Sequence, residues 1–399
     1  MSRRILITGA SVAGTTTAWW LAHYGFDVDV VERAPGFRTG GQNVDVRGNA
    51  RDVLRKMGLE DLAFARSTHE RGTDWVSEDN GVIARFEAGD SETDNGPTAE
   101  LEIRRGDLAR ILYDAVQERA TFRFDDSIAA VAQDVDGVDV TFASGRQERY
   151  ATVIVAEGVG SHTRELVFPG ENTPRWMDLT IAYFSIPRQP GDSDYARQFN
   201  TVDGRGATLK PALDGLLGAY VGIQKKPGGE QDWSTERQRQ FIASEFANDG
   251  WEFPRILAAM QQADDFYFDV LRQVHMARWS LGRVVLTGDA AWSPTPLSGI
   301  GTSLAMVGGY VLAGELARAA TPADAFADYE RVMRPLVNKG QDLPKAVVRM
   351  LWPHSAIGLT LLHGALRVAA TPLVRKVINN GFARDSGGMA VPDYEQGQA

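Results

Sequence analysis

The stretch RVVLTGDAAWSPTPLSGIGTSLA, Arg283 to Ala305, decides the fold. Val284, Val285 and Leu286 form the short apolar run of a buried parallel strand. The run stops at Gly288-Asp289. A loop with Pro294 and Pro296 follows, and Gly299-Ile300-Gly301 opens a small-residue helix over about Thr302–Leu316. An acid at the carboxyl end of such a strand faces the crevice where open α/β sheets bind ligands, and it accepts hydrogen bonds from sugar-like hydroxyls. Glycines at a helix start let backbone N–H groups approach an electron-rich group, where the dipole favours negative charge. Together these features suit a flavin, with its polyol chain on Asp289 and its N1–C2=O edge over Gly299–Gly301. Taken alone, the segment is equally an ordinary strand–turn–helix.

Two further Gly/acid turns share the pattern. Arg4–Thr8 reads as a strand that opens GASVAG, followed by a helix over about Thr15–Tyr24 and a second strand, Val28–Val31, ended by Glu32. This is the βαβ dinucleotide pattern: Gly9 makes the turn, Gly14 lets helix and strand pack, and Glu32 takes the ribose hydroxyls. Ser11 stands where a second glycine is usual, which implies crowding at the pyrophosphate rather than exclusion. Downstream, the β-branched strand Thr152–Ala156 ends in Glu157-Gly158, with Ser161 and Arg164 following.

The intervening chain alternates between the two periodicities. Val44-Asp45-Val46-Arg47-Gly48 reads as a short strand, Asn49–Met57 as an amphipathic helix stopped by Gly58, and Trp75–Ala88 as strands before a polar loop, Gly89–Thr98. Asp107 is a candidate N-cap for a helix over about Leu108–Glu118. Phe122–Phe124, Ile128–Gln133 and Val138–Phe142 read as a meander. From Asp178 onward Ile181–Ile186, Arg197–Val202, Ala207–Pro211 and Leu216–Gln224 read as antiparallel strands. Ser234–Asn248 and Pro254–Gln262 read as helices, and Val270–His275 as a returning strand. Beyond Gly340 the chain reads as apolar helix, about Leu343–Met350 and Ile357–Asn380, and the last ten residues read as disordered.

Composition bounds the function. The 399 residues suffice for one large core or two domains. A formal net charge of −10 argues against a general nucleic-acid or anionic-membrane surface. The chain has no cysteine, so thiol catalysis, disulfides and Fe–S clusters are excluded, and a cytoplasmic setting fits. The six histidines lack metal-ligand spacing, so no metal is assigned. No apolar stretch is long enough to span a bilayer.

The order and spacing of GASVAG…Glu32, AEGVGSHTR (156–164) and Gly288-Asp289…Gly299–Gly301 resemble the group A flavoprotein monooxygenases, single-component FAD enzymes that include the aromatic hydroxylases. The resemblance implies an α/β fold: an FAD-binding, Rossmann-like three-layer domain (1–74, 101–177, 272–340) interleaved with an antiparallel-sheet substrate domain (75–100, 178–271), plus a C-terminal bridging helical segment (341–399). It implies FAD as cofactor, NADPH or NADH as transient reductant, and O₂ activated as a C4a-hydroperoxyflavin. By match, Gly9, Ser11, Ala13, Gly14, Glu32 and Arg33 would hold the ADP half, and Arg105 the flavin side. Gly288 and Asp289 would bind the pyrophosphate–ribityl region, and Pro296, Gly299, Ile300 and Gly301 the ring edge. Glu157-Gly158 matches a motif whose acid is usually aspartate, which puts nicotinamide handling there in doubt. Trp292 stands where many relatives have histidine, and Ser303 where many have asparagine. Arg47, Gly299 and Gly301 are the catalytic candidates, although Arg47 also reads as a surface arginine after a strand.

Within that family GGQNVDVRG, LEIRRGDLARIL and GDAAWSPTPLSGIG look like the tetracycline-inactivating branch, whose members confer antibiotic resistance. The branch implies an aromatic or polyketide small-molecule substrate over a floor that includes Gln198 and Tyr220. Phe184 is a third substrate candidate, although such a residue is more often core than pocket wall. A monomer or weak homodimer is expected. A flavin oxidase or reductase without oxygen insertion, and a non-catalytic small-molecule binder, are the alternative readings.

Overall fold

The computed structural model describes residues 4–37, 41–88, 99–371, 374 and 391–395. Its first sheet has six strands in the order Ser280–Leu281, Val284–Leu286, Thr152–Val155, Arg4–Thr8, Asp27–Glu32 and Thr121–Phe124. All pairings are parallel except the one made by Ser280–Leu281. Thr152–Val155 and Val284–Leu286 are buried at every residue, as continuous apolar runs covered on both faces should be.

The register assigns the two faces. Ile7 points at the first helix, Val12–His23, where its Cγ2 borders Gly14. Its neighbour Leu6 pairs with Asp29, whose carboxylate accepts from Tyr150 Oη of a three-stranded sheet on the other side, 3.0 Å away. That sheet is Ile128–Gln133, Val138–Phe142 and Gln147–Tyr150. The helix Gly301–Arg318 packs beside Val12–His23, which completes a helix–sheet–sheet sandwich.

The second sheet has seven strands: Tyr267–Gln273, Arg175–Pro187, Leu216–Gln224, Arg205–Pro211, Ala196–Asn200, Gly72–Val76 and Val82–Glu87. It is antiparallel apart from the parallel pair Ala196–Asn200 and Gly72–Val76. Helices Thr235–Glu245 and Phe253–Met260 cover one face, and a short ribbon, Asn43–Asp45 with Glu102–Arg104, leans on the other. The α/β architecture with an added antiparallel sheet and terminal helices is the one the motifs imply.

Several local expectations need correction. Thr121–Phe124 joins the parallel sheet rather than the meander, whose third strand is Gln147–Tyr150. The reason lies in Phe122 and Phe124, which pack on Tyr113 of the preceding helix and so make that helix a βαβ crossover. This helix runs Arg105–Asp114; Asp107 lies inside its first turn, 3.0 Å from Arg104, and does not cap it. The strand assigned to Val270–His275 starts at Tyr267.

The tail is the largest departure. Tyr394 is buried, donates from Oη to Glu315 (2.7 Å), and fills the space a side chain at Gly314 would need. Lys56–Asp393 and His23–Glu395 pairs flank it. Helices Lys345–Leu351 and Ala356–Ala369 break at Pro353. The Gly89–Thr98 loop, Gly40 and all but residue 374 of the segment 372–380 lie outside the described residues.

Candidate active site

A cleft of about 460 Å³ collects the three Gly/acid turns. Gly9, Ser11 and Ala13 line it from the first turn, Glu32 and the exposed Arg33 from the second strand end, and Glu157 and Gly158 from the third. Arg105, Asp289 and Gly301 close the far side. The first turn has no room for larger residues. Gly9 has φ +105, and a Cβ there would stand 2.4 Å from Ala156 O, while a Cβ on Gly14 would stand 1.9 Å from Gly9 O. Gly14 therefore acts through packing and does not face the cleft. Ser11 is the N-cap of the first helix with no side-chain capping bond, so its hydroxyl stays at the cleft wall.

The acids behave differently from one another. Glu32 accepts the backbone N–H groups of Ala10 and Ala34, each at 2.9 Å, and so ties the turn to its own strand. Glu157 spends both oxygens internally. It accepts from Thr8 Oγ1 (2.6 Å), Thr163 Oγ1 (2.5 Å), Ser161 Oγ (2.8 Å) and Thr163 N (2.9 Å). The extra methylene relative to aspartate lets it reach across to Thr8. Burial raises the Asp289 carboxyl above its usual range, and the Arg105 guanidinium pulls it back.

The loop between Asp289 and Gly301 is held from outside. Gln273 Nε2 donates to Pro294 O (3.2 Å), and Gln341 Nε2 to Trp292 O (3.0 Å) and Val274 O (2.8 Å). Thr295, between two prolines, takes φ 75 and ψ 146, a region normally left to glycine. Pro296 and Gly299 are exposed at the loop's tip, whereas Ile300 packs towards Gly340, so only its backbone can serve a ligand. Gly288 packs on Ala13. Trp292 is core, packed at a tilt against Trp279 and Tyr329. Arg47 is not a surface arginine: Nε and Nη2 donate to Asp45 Oδ2 at 3.2 and 2.8 Å, and its backbone N–H donates to Ser303 Oγ.

Register sets the face of the seven-stranded sheet. Trp75, Gln198, Thr208, Tyr220, Tyr183 and Tyr267 are successive cross-strand partners and form one row. Its last member, Tyr267, also lines the cleft, so the row runs from the cleft wall across the sheet. Tyr183 packs edge-on to Tyr220 (5.1 Å) and stacks on Tyr267 (6.1 Å). Gln198 accepts from Thr208 Oγ1, and Tyr220 Oη accepts from Asn43 N (2.6 Å). Phe184 is a correction: it pairs with Ala219 on the opposite face and is sealed against Phe266 beneath the two covering helices. Above the row, Asn200 Nδ2 donates to Leu351 O and Gly204 N to Pro353 O, both at 3.0 Å. This strap sets Trp352 over Gly222, where a Cβ would stand 2.5 Å from the indole.

Residues 3–340 match the model of a family described as the FAD binding domain. A flavin-dependent monooxygenase from an unknown prokaryotic organism is 36% identical over 350 residues, covering 85% of this chain and 88% of its own. The chain belongs to this family of FAD-dependent monooxygenases. An uncharacterised Mycobacterium tuberculosis protein is 37% identical over 353 residues, covering 85% of this chain and 92% of its own. Among solved structures, the tetracycline destructase Tet(55) superposes with a TM-score of 0.82 at 32% identity, covering 98% of this chain and 99% of that one.

FAD suits the cleft of this monooxygenase on its own geometry. A turn without room for side chains approaches from one side, and the N-termini of two long helices, at Ser11 and Gly301, border the cavity. Sequence reading missed Tyr267, Asp269 and Arg272, which also line it. Burial pushes the Asp269 carboxyl up to about 6 against the pull of Arg272. The available signal was an acid and an arginine within an otherwise apolar strand. Among the described residues no helix is long and apolar enough to cross a membrane.

Proposed function

We propose that this monooxygenase hydroxylates a fused-ring phenol or enol of polyketide type, of which a tetracycline is one candidate. The row from Trp75 to Tyr267 carries the reading: it offers aromatic walls and the neutral polar groups of Gln198 and Thr208. A benzoate would call for a cation able to make a bidentate pair. Of the cations near the row, Arg47 is matched by Asp45, Lys210 by Glu102 and Glu70, and Arg272 by Asp269, while Arg105 acts on Asp289 at the cofactor side. The overlap with Tet(55), a tetracycline destructase, supports the same substrate class.

Bound FAD, reduced by NAD(P)H, supplies O₂ activation and the transfer of one oxygen. The chain's residues hold and orient. The Gly9–Ala13 turn and the first helix's N-terminus would receive the pyrophosphate, Glu32 the ribose hydroxyls on the lone pairs its two backbone bonds leave free, and Asp289 with Arg105 the polyol side. Backbone N–H groups at Gly299–Gly301 would hold the ring edge and favour negative charge there. Gln198 and Tyr220 orient the substrate, and the Trp352 strap keeps water off the sheet face.

The test is NAD(P)H oxidation with a substrate panel. Fused-ring phenols and enols are expected to stimulate it and to gain one oxygen, whereas salicylate and hydroxybenzoates are not. Efficient turnover of a single-ring acid with no response to any fused-ring compound would refute the assignment.

A further inference from the structure

A buried charge cluster lies between the Gly299 loop and the seven-stranded sheet. Asp45 and Glu102 are direct cross-strand partners in the short ribbon, so two carboxylates face one another, an arrangement that is ordinarily destabilising. Glu102 is 4% exposed and is held by Lys210, Thr68 Oγ1 (2.9 Å) and Asn43 Nδ2 (3.3 Å). Lys210 also reaches Glu70, whose side chain is fully buried, at 3.2 Å. The groups facing Asp45 are Arg47 from the following turn, Glu102 from the partner strand, Lys210 from the sheet, and the Ala99 N–H, 3.3 Å from Oδ1. Three carboxylates, Asp45, Glu70 and Glu102, thus meet two cations, Arg47 and Lys210. A buried excess of one negative charge makes the cluster ready to take up a proton when further negative charge appears beside it. Burial raises the Asp45 carboxyl, Arg47 lowers it and Glu102 raises it.

Asp45 also borders the cofactor's expected position. A Cβ on Gly299 would stand 3.9 Å from Asp45 Oδ2. The same oxygen neutralises Arg47, whose backbone is tied to Ser303 of the helix that begins at Gly301. We propose that Asp45 is the proton acceptor coupled to reduction of the bound flavin, an inference that rests on the ring edge lying at Gly299–Gly301. Hydride from NAD(P)H brings two electrons and one proton to the flavin, NAD(P)⁺ leaves, and one negative charge remains on the ring. A solvent proton adds to the Asp45 carboxylate, forming one O–H bond with no redox change there. Neutral Asp45 then no longer offsets Arg47, and the guanidinium charge becomes available to the ring edge.

The experiment measures proton uptake during anaerobic reduction, and the flavin midpoint potential against pH, in the wild type, Asp45→Asn and Glu102→Gln. Asp45→Asn is expected to take up one proton fewer per two electrons. Its midpoint should be higher, because an ionised carboxylate near the ring opposes reduction. Its potential should fall less steeply with pH, by about 30 mV per unit, the two-electron equivalent of a tenfold change. Glu102→Gln removes a neighbouring negative charge, so the proton step is expected at lower pH. If Asp45→Asn does not fold, Glu102→Gln decides: an unshifted step overturns the proposal. An Asp45→Asn protein that holds FAD with wild-type proton count and slope also overturns it. Gly299→Val separates the two layers. A perturbed flavin potential there with no effect of Asp45→Asn refutes the coupling alone, and an unperturbed flavin refutes the placement of the ring edge and the coupling with it.

Discussion

In the cleft, Glu32, Glu157 and Asp289 stand just beyond or at the ends of parallel strands, and the glycines beside them shape the backbone. On the sheet face, Trp75, Gln198, Thr208, Tyr220, Tyr183 and Tyr267 come from six strands, and nothing but register brings them together. The cleft is therefore a backbone device and the face a side-chain device. Substitutions in the first should act on folding and FAD, and those in the second on substrate alone.

The sharpest way to break this contrast is Gly14→Val. With a Cβ already 1.9 Å from Gly9 O, the turn cannot close. A loss of about 4 kcal/mol or more is expected, seen as little folded, yellow protein. A folded variant of normal FAD content would show that the turn is not the backbone device described.

Next is the pair Glu157→Ala and Asp289→Ala. Removing Glu157 strands the Thr8, Ser161 and Thr163 groups, at about 3 kcal/mol, so its melting temperature should fall while FAD affinity holds. Asp289→Ala should weaken FAD binding by about 1.5–3 kcal/mol with a smaller loss of stability. Equilibrium FAD titration beside thermal melting separates them, and an interchange of the two phenotypes would reverse their roles.

Asp269, where cleft and face meet, should show a pH signature. Its folded-state pKa of about 6 lies above the ordinary 3.8, so ionisation opposes folding. The penalty grows between about pH 4 and 6 and is constant above, on the order of 2–3 kcal/mol. Apoprotein Asp269→Asn should thus be more stable than wild type at pH 7.5 and equal to it near pH 3.5. Parallel stability–pH curves would rule out a buried, ionised Asp269.

The smallest effects belong to the face. Gly222→Ala should push Trp352 aside, at about 1–2 kcal/mol in kcat/KM and with more NAD(P)H consumed per product, FAD content unchanged. Gln198→Ala should raise KM about fivefold, the equivalent of about 1 kcal/mol. A fall in FAD content in either variant would erase the division between the two regions.

The same division explains what could be read in one dimension. Gly9, Glu32 and Asp289 were legible because each is a local event, a strand that ends in a glycine or an acid. The Arg4–Thr8, Asn49–Met57, Ile128–Gln133 and Leu216–Gln224 boundaries follow from local periodicity and stop signals in the same way. Phe184 was misplaced because a one-residue step along a strand changes the face, and strand length and pairing come from neighbours far off in sequence. Tyr267 and Asp269 were missed because only the pairing with Arg175–Pro187 brings them to the cleft. Tyr394 read as part of a disordered tail because its socket, over Gly314 and beside Glu315, is some eighty residues away in the chain.

The most direct test of the central claim is product mass after turnover under ¹⁸O₂. The enzyme with FAD, NADPH and a tetracycline or related fused-ring phenol should yield a product carrying one ¹⁸O atom, with NADPH consumed in proportion. NADPH oxidation that gives only hydrogen peroxide with every fused-ring compound, or a product labelled from water instead of O₂, would contradict it.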